Sequence, residues 1–234
     1  MLIGPQNLPD NVQKLRAALA AAALGCGRNV DSVTLLAVSK GHPAASVRAV
    51  AAAGVAHFGE NYLQEALPKI DALGEPGLAW HFIGRLQANK TRPVAEHFAW
   101  VHGVDRPKLA ERLAAQRPFH APALNVCLQV NVAEEPGKAG VAPGELPALA
   151  ATVAALPRLA LRGLMCLPPE AADPVRQRHW FARTREAFEG LRAAGFNLDT
   201  LSMGMSGDYA AAIAEGATLV RIGTAIFGPR PAAR

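Results

Sequence analysis

Short apolar runs alternate with longer, alanine-rich stretches along almost the whole chain, and the two kinds of segment carry different periods. The runs are Thr34–Ser39, Ala56–Gly59, His81–Gly84, Trp100–Val104, Leu124–Asn131, Leu159–Met165, Thr200–Ser202 and Thr218–Ile222. Their length and apolar character read as buried strands. Between them Ala44–Ala53, Tyr62–Leu73, Pro107–Gln116, Gly144–Leu156, Pro174–Ala194 and Tyr209–Glu215 repeat apolar positions at helical spacing. Pro43 precedes the first of these helices, and Gly54, Gly195 and Gly216 follow others, where helices commonly start and stop. The helical signal is weakest after Gly84.

Eight strands spaced by about 26 residues predict a (β/α)8 TIM barrel. An open doubly wound sheet competes with it, but such a sheet seldom needs eight regular units, and no GxGxxG follows the first run. At 234 residues and 50% hydrophobic content the chain is long enough for one large core. No low-complexity linker or composition break divides it, so one domain over 1–234 is expected, with 1–30 as an additional N-terminal helical extension and Gly228-Pro229-Arg230-Pro231 as its tail. In that extension the apolar stretch Ala17–Gly25 follows Asp10, Lys14 and Arg16 at helical spacing, which reads as an amphipathic helix rather than a signal peptide. No segment reaches the roughly 20 apolar residues that span a bilayer. A soluble protein of the reducing cytoplasm is the expectation.

The net charge of +5 is scattered, with Lys and Arg interleaved among Asp and Glu and never forming a run. A phosphorylated small molecule suits that balance better than nucleic acid. Cys26, Cys127 and Cys166 are odd in number and far apart, which indicates neither a disulfide framework nor a zinc site; two of them fall in apolar runs and read as buried thiols.

Barrel chemistry lies where strands end and βα loops begin. Polar residues concentrate there: Ser39-Lys40 after the first run, Gly59-Glu60-Asn61-Tyr62 after the second, and Arg85 to Lys90 after the third. Asn131 and, further on, Lys138 follow the fifth, Ser202 to Asp208 the seventh, and Arg221-Ile222-Gly223-Thr224 the eighth. The last two loops suit a phosphate: Gly223 admits close backbone approach, and Ser206 and Thr224 offer hydroxyls beside N–H groups near helix starts. Gly204, Gly207 and Gly223 as simple turn formers is the plainer account. Lys40, directly after the buried run Leu35-Leu36-Ala37-Val38, points toward the barrel mouth. A lysine with pKa near 10.4 is neutral in only about one molecule in a few thousand at pH 7. Partial burial near another cation, such as Arg221, supplies the neutral amine that carbonyl capture needs. From position alone, a lysine solvated at the rim is the favoured account. His42, His57, His97, His102, His120 and His179 show no ligand spacing and read as structural or exposed.

Leu36-Ala37-Val38-Ser39-Lys40, Phe58-Gly59-Glu60-Asn61-Tyr62, Trp80-His81-Phe82-Ile83-Gly84 with Leu86-Gln87-Ala88-Asn89-Lys90, Ser202-Met203-Gly204-Met205-Ser206, and Val220 to Gly228 together resemble the pyridoxal 5′-phosphate (PLP) homeostasis family. That family is related to the N-terminal barrel of alanine racemase, and the similarity covers essentially the whole chain. The resemblance implies PLP held as an aldimine on Lys40, Arg221 facing the pyridine nitrogen, and Ser206, Gly223 and Thr224 holding the phosphate. It implies Asn61 and His81 as further lining residues. Arg85 stands where the family often has proline, Gly41-His42 replace a more usual pair, and Gly207 replaces a frequent Asp; these bear on loop shape and partner surface.

An arginine at the pyridine nitrogen keeps that nitrogen unprotonated and the ring a poorer electron sink. A two-base racemase also needs a second base, which in alanine racemase is a tyrosine of a C-terminal domain, and this chain stops shortly after its last strand. Tyr62 and Tyr209 both begin helices and read as caps on apolar patches. The expectation is a carrier or buffer of PLP that hands it to apo PLP-dependent enzymes, monomeric, without nucleic-acid or membrane partners. A weak amino-acid racemase is the alternative, and a barrel enzyme acting on a sugar phosphate a third.

Overall fold

The computed structural model describes residues 7–74 and 77–229. Its eight strands are β1 (Thr34–Val38), β2 (His57–Glu60), β3 (Ala79–Phe82), β4 (Trp100–Val104), β5 (Leu124–Val130), β6 (Leu159–Cys166), β7 (Thr200–Ser202) and β8 (Leu219–Ile222). Each pairs in parallel with the next, and β8 pairs with β1, so the sheet closes into a barrel in sequence order. The helices are α1 (Leu8–Gly25), α2 (Ala44–Ala52), α3 (Leu63–Leu73), α4 (Thr91–His97), α5 (Pro107–Gln116), α6 (Leu146–Ala154), α7 (Pro174–Ala193), α8 (Tyr209–Ala214) and α9 (Thr224–Phe227). The chain therefore has the (β/α)8 architecture, with α1 added before the first strand.

Most expected elements fall within one residue of the observed bounds, and the larger differences have local reasons. β3 begins and ends two residues earlier than its apolar pattern predicts. Its ladder stops because Gly84 closes onto the loop after β2, where a Cβ on Gly84 would lie 2.3 Å from the carbonyl oxygen of Asn61. The helix expected from Gly144 opens as a 3-10 turn, Pro143–Glu145, and α6 starts at Leu146. Pro147 lacks the N–H that a longer helix would use, so it sits in the first turn, where that N–H has no partner anyway. After Gly84 the weakly patterned segment folds as the 3-10 turn Ala88–Lys90 followed by α4. Of the tail, Gly228 and Pro229 are described, and Arg230-Pro231 lies outside the described residues.

α1 buries Leu8, Val12, Leu15, Leu19 and Ala23, a stripe at helical spacing. Each fully buried aliphatic side chain of this kind stabilises by about 1.5–3 kcal/mol. The helix packs on α2, α8 and α9, and buried Asn11 Nδ2 donates to the carbonyl of Ile226 at 2.9 Å. It thereby braces the segment that follows β8. Cys127 and Cys166 are buried, with thiols pushed by desolvation up to about 12 and about 11, and Cys26 is exposed. Among the described residues no helix is long and apolar enough to cross a membrane.

Candidate functional site

Side chains alternate in and out along a strand, so the inward series that includes buried Leu36 and Val38 continues to Lys40 at the barrel mouth. Lys40 is half-buried and lines a cavity of about 320 Å³ at the carboxyl ends of the strands. The same cavity is lined by Asn61 after β2, by Ser206 and Gly207 after β7, and by Arg221, Gly223 and Thr224 on and after β8. Val38, Ile83, Met165, Leu167 and Met205 form its apolar walls.

The chain around Lys40 is held on both sides. The Ser39 hydroxyl donates to Glu60 Oε1 at 2.6 Å. Lys69 Nζ donates to the same carboxylate oxygen at 2.7 Å and to the Ser39 carbonyl at 2.8 Å. Beyond Lys40 the Gly41 amide donates to Glu65 Oε2 at 2.7 Å, and Gly41 takes a φ of 77°, which explains glycine at that position. The His42 ring then stacks on Phe227 with centroids 4.9 Å apart.

Arg221 is 5% exposed. Its Nη1 donates to the carbonyl and the hydroxyl of Ser202, the latter at 2.8 Å, and its Nη2 donates to the Cys166 carbonyl at 2.8 Å. Burial lowers its pKa and nearby Cys166 and Asp208 oppose that, but a guanidinium stays charged across the working range. These bonds use three of the five N–H groups an arginine carries, leaving donors for a ligand in the cavity.

On the β8 side of the cavity, a Cβ on Gly223 would lie 3.2 Å from the Val38 carbonyl, so glycine permits the close approach of the β8 loop to β1. The short helix α9 begins here, with the Ile226 and Phe227 amides donating to the Gly223 carbonyl at 2.9 and 3.0 Å. Gly204, at φ 95°, turns the β7 loop inward, and a Cβ there would meet Ala212 at 2.7 Å. The Met205 amide donates to Asp208 Oδ1 at 2.5 Å and fixes the loop that carries Ser206. Asn61 Oδ1 is buried without a hydrogen-bond partner.

The structure thus brings Lys40, Asn61, Ser206, Arg221, Gly223 and Thr224 together. His81 stands apart from them. It is buried inside the barrel, one inward position below Ile83 on the β3 register, and borders a cavity at the opposite, amino-terminal end of the strands. The two-residue displacement of β3 is the reason: the mouth falls at Ile83 and Gly84. Asn131 binds the backbone of Glu135 within its own loop, at 2.9 and 3.2 Å, and Lys138 pairs with Glu135; neither lines the cavity. Tyr62 is exposed and borders a neighbouring cavity with Arg85 and Lys90, and Tyr209 packs against the core. The apolar wall residues were missed because the sequence reading followed polar residues; continuing the period from Val38 and β6 finds them.

Comparisons with known proteins point to one family. The family model described as alanine racemase, N-terminal domain, matches residues 5–231. The pyridoxal phosphate homeostasis protein of Pseudomonas aeruginosa is 57% identical over 223 residues, covering 95% of this chain and 96% of the relative. The protein of the same name from Escherichia coli K12 is 50% identical over 227 residues, 96% of this chain and 97% of the relative. This chain belongs to the pyridoxal phosphate homeostasis protein family. PipY of Synechococcus elongatus PCC7942, solved with PLP bound, superposes with a TM-score of 0.84 at 40% identity, covering 94% of this chain and all of that one. Alanine racemase from Corynebacterium glutamicum shares the barrel fold, with a TM-score of 0.72 at 18% identity over 97% of this chain and 61% of the racemase.

Proposed function

We propose that this chain binds PLP in the cavity beside Lys40 and serves PLP homeostasis by holding the cofactor and handing it on to apo PLP-dependent enzymes. The observation that carries the reading is the convergence of one amine, one buried cation and two hydroxyl-bearing loops on a single cavity of about 320 Å³. That donor set fits the chemistry of a phosphorylated pyridine aldehyde. When bound, PLP supplies an aldehyde carbon that a neutral amine attacks with loss of water, and Lys40 Nζ is the amine in reach of the cavity. Arg221 presents a fixed cation to the ring nitrogen. Ser206, Gly223 and Thr224 give hydroxyl and backbone donors to the phosphate, and Asn61, with its buried Oδ1 unpartnered, gives a side-chain amide to a ring substituent. Membership of a family whose relatives carry the name pyridoxal phosphate homeostasis protein supports the same assignment.

The purified protein is expected to be yellow and to lose its visible band on Lys40→Ala. Borohydride reduction should leave the cofactor's mass on the peptide containing Lys40. A colourless protein that takes up no added PLP would overturn the reading. Transfer to an apoenzyme faster than release into solution identifies a carrier, whereas equal rates reduce the role to a reservoir. Inversion of a single amino-acid enantiomer, abolished by Lys40→Ala, would make it an enzyme.

A further inference from the structure

A line of polar side chains runs through the barrel interior from Arg221 to the opposite end. Arg221 Nη1 reaches Ser202 Oγ at 2.8 Å, and Ser202 Oγ lies 2.8 Å from His102 Nδ1. His102 Nε2 lies 2.9 Å from His81 Nδ1, and His81 Nε2 lies 3.0 Å from His57 Nδ1. β4 and β7 are not neighbours in the barrel, so the His102–Ser202 bond crosses the interior. Ser202, His102 and His81 are all 0% exposed. His57 is half-buried and borders the cavity of about 280 Å³ at the amino-terminal end, beside Thr34, Thr200 and Thr218.

Hydrogen-bond accounting gives this line one direction. An arginine only donates, so Ser202 Oγ accepts from Arg221. The hydroxyl's single hydrogen then needs an acceptor, and among the described residues the other partner of Oγ is His102 Nδ1. Ser202 therefore donates to Nδ1, and His102 carries its proton on Nε2. His102 donates onward to His81 Nδ1, His81 from its own Nε2 to His57 Nδ1, and the Nε2–H of His57 ends the line. The reverse direction leaves a buried hydroxyl hydrogen unpaired, a cost large enough to shift the tautomers decisively. Three neutral rings are required, and burial together with the facing cation holds His102 down at about 3, while burial and its two histidine neighbours hold His81 well below its ordinary value.

We propose that Ser202, His102, His81 and His57 are positioning residues for Arg221, forming a one-way line of neutral hydrogen-bonding groups that aims the guanidinium at the cofactor cavity without hydrogen-bonding it to a carboxylate. The remaining hydrogen bonds of Arg221 go to the carbonyl oxygens of Ser202 and Cys166. Asp208 acts on it by charge without a hydrogen bond, and its two unused N–H donors are consequently left for the ligand. The inference rests on the proposed PLP site only in what Arg221 faces; the tautomers are a property of the chain itself.

Nitrogen-15 spectra of the histidine-labelled full chain without cofactor test the line directly. His57, His81 and His102 should be neutral at pH 7 with hydrogen on Nε2, and Ser202→Ala should shift the Nδ1 signal of His102. A hydrogen on Nδ1 of His81 or His102, or a charged ring at either, overturns the proposal whether or not PLP binds. With PLP, His102→Leu should raise the dissociation constant about tenfold and move the absorption band, and His102→Gln, which still accepts and donates, should recover most of both. Leu109→Ala, a core change outside the line, should leave the band in place. An unchanged band and affinity in His102→Leu refutes the positioning role; should that variant fail to fold, Ser202→Ala read by the same two measurements decides.

Discussion

Lys69 Nζ lies 2.7 Å from Glu60 Oε1 in a pair whose side chains are 9% and 0% exposed, directly beneath the turn that presents Lys40. The second oxygen of Glu60 has no partner, and desolvation raises the pKa of this carboxyl against the pull of Lys69 and Ser39. The pair is therefore held at a net desolvation cost, and its evident product is position: the same ammonium binds the Ser39 carbonyl one residue before Lys40.

Lys69→Met should destabilise the fold by about 3–5 kcal/mol at neutral pH, because it leaves a buried carboxylate uncompensated. Without the ammonium the carboxyl of Glu60 rises further, so acid should relieve the defect by protonating it. Urea unfolding at pH 8 and pH 5 checks this. A smaller loss at pH 5 is expected, and an equal loss at both would mean that Glu60 is not the cause. Glu60→Gln in the Lys69→Met background should restore part of the stability at pH 8.

Most of the fold was legible because it rests on local signals. β4 and β7 have the bounds their apolar runs suggest, and α5 starts at its proline and ends where its pattern ends. The shifted β3 was not legible, since its end is set by the contact of Gly84 with Asn61, 23 residues away in sequence and invisible to a windowed pattern. The site divides the same way. Lys40 and Arg221 stand on inward positions that a period of two picks out, whereas His102 and His57 read as unrelated histidines until barrel closure set β4 across from β7. A hydrogen-bonded line through a closed sheet has no sequence period.

Gly84→Ala should damage the site from a position that does not itself line the cavity. A methyl group there would enter the backbone of Asn61, at 2.3 Å from its carbonyl oxygen and 2.9 Å from its Cα, and backbone cannot yield as a flexible side chain does. Overpacking of this kind costs about 1–3 kcal/mol. The expected signature is a moderate drop in unfolding free energy with a disproportionate loss of PLP affinity, because Asn61 is displaced. Equilibrium unfolding and a PLP titration on the same sample separate the two; a stability loss with unchanged affinity would remove Asn61 from the binding residues.

Arg221→Lys retains the charge and loses the fork. Arg221 donates at once to the carbonyls of Ser202 and Cys166 and to the Ser202 hydroxyl, and one ammonium cannot reproduce that planar arrangement. At least one buried carbonyl is left unsatisfied, costing about 1–3 kcal/mol. A lowered melting temperature together with faster PLP release is expected. Release at the wild-type rate would show that charge alone, not its fixed direction, serves the cofactor.

The buried histidines make the stability pH-dependent with a defined sign. His81 and His102 have ordinary values of 6.5; burial holds the first well below that and the second at about 3. From pH 6.5 downward the unfolded chain binds protons that the folded protein refuses, so ν_U exceeds ν_N and stability falls with falling pH. Each histidine that stays neutral contributes a slope of about 1.4 kcal/mol per pH unit in that range. Glu60 and Asp208 act in the opposite sense, since desolvation raises their values above the ordinary 4.5 and 3.8 and lets the folded protein hold protons that the unfolded chain has released, which blunts the slope toward the acid end. Urea unfolding between pH 7.5 and 5 should therefore be flat above pH 7 and decline steadily below 6.5. In His102→Leu, which fills a similar space with nothing to titrate, the decline should lose one histidine's share. A wild-type stability unchanged from pH 7 to pH 5 would mean that the interior histidines take up protons in the folded barrel, and the neutral line through it would fail with them.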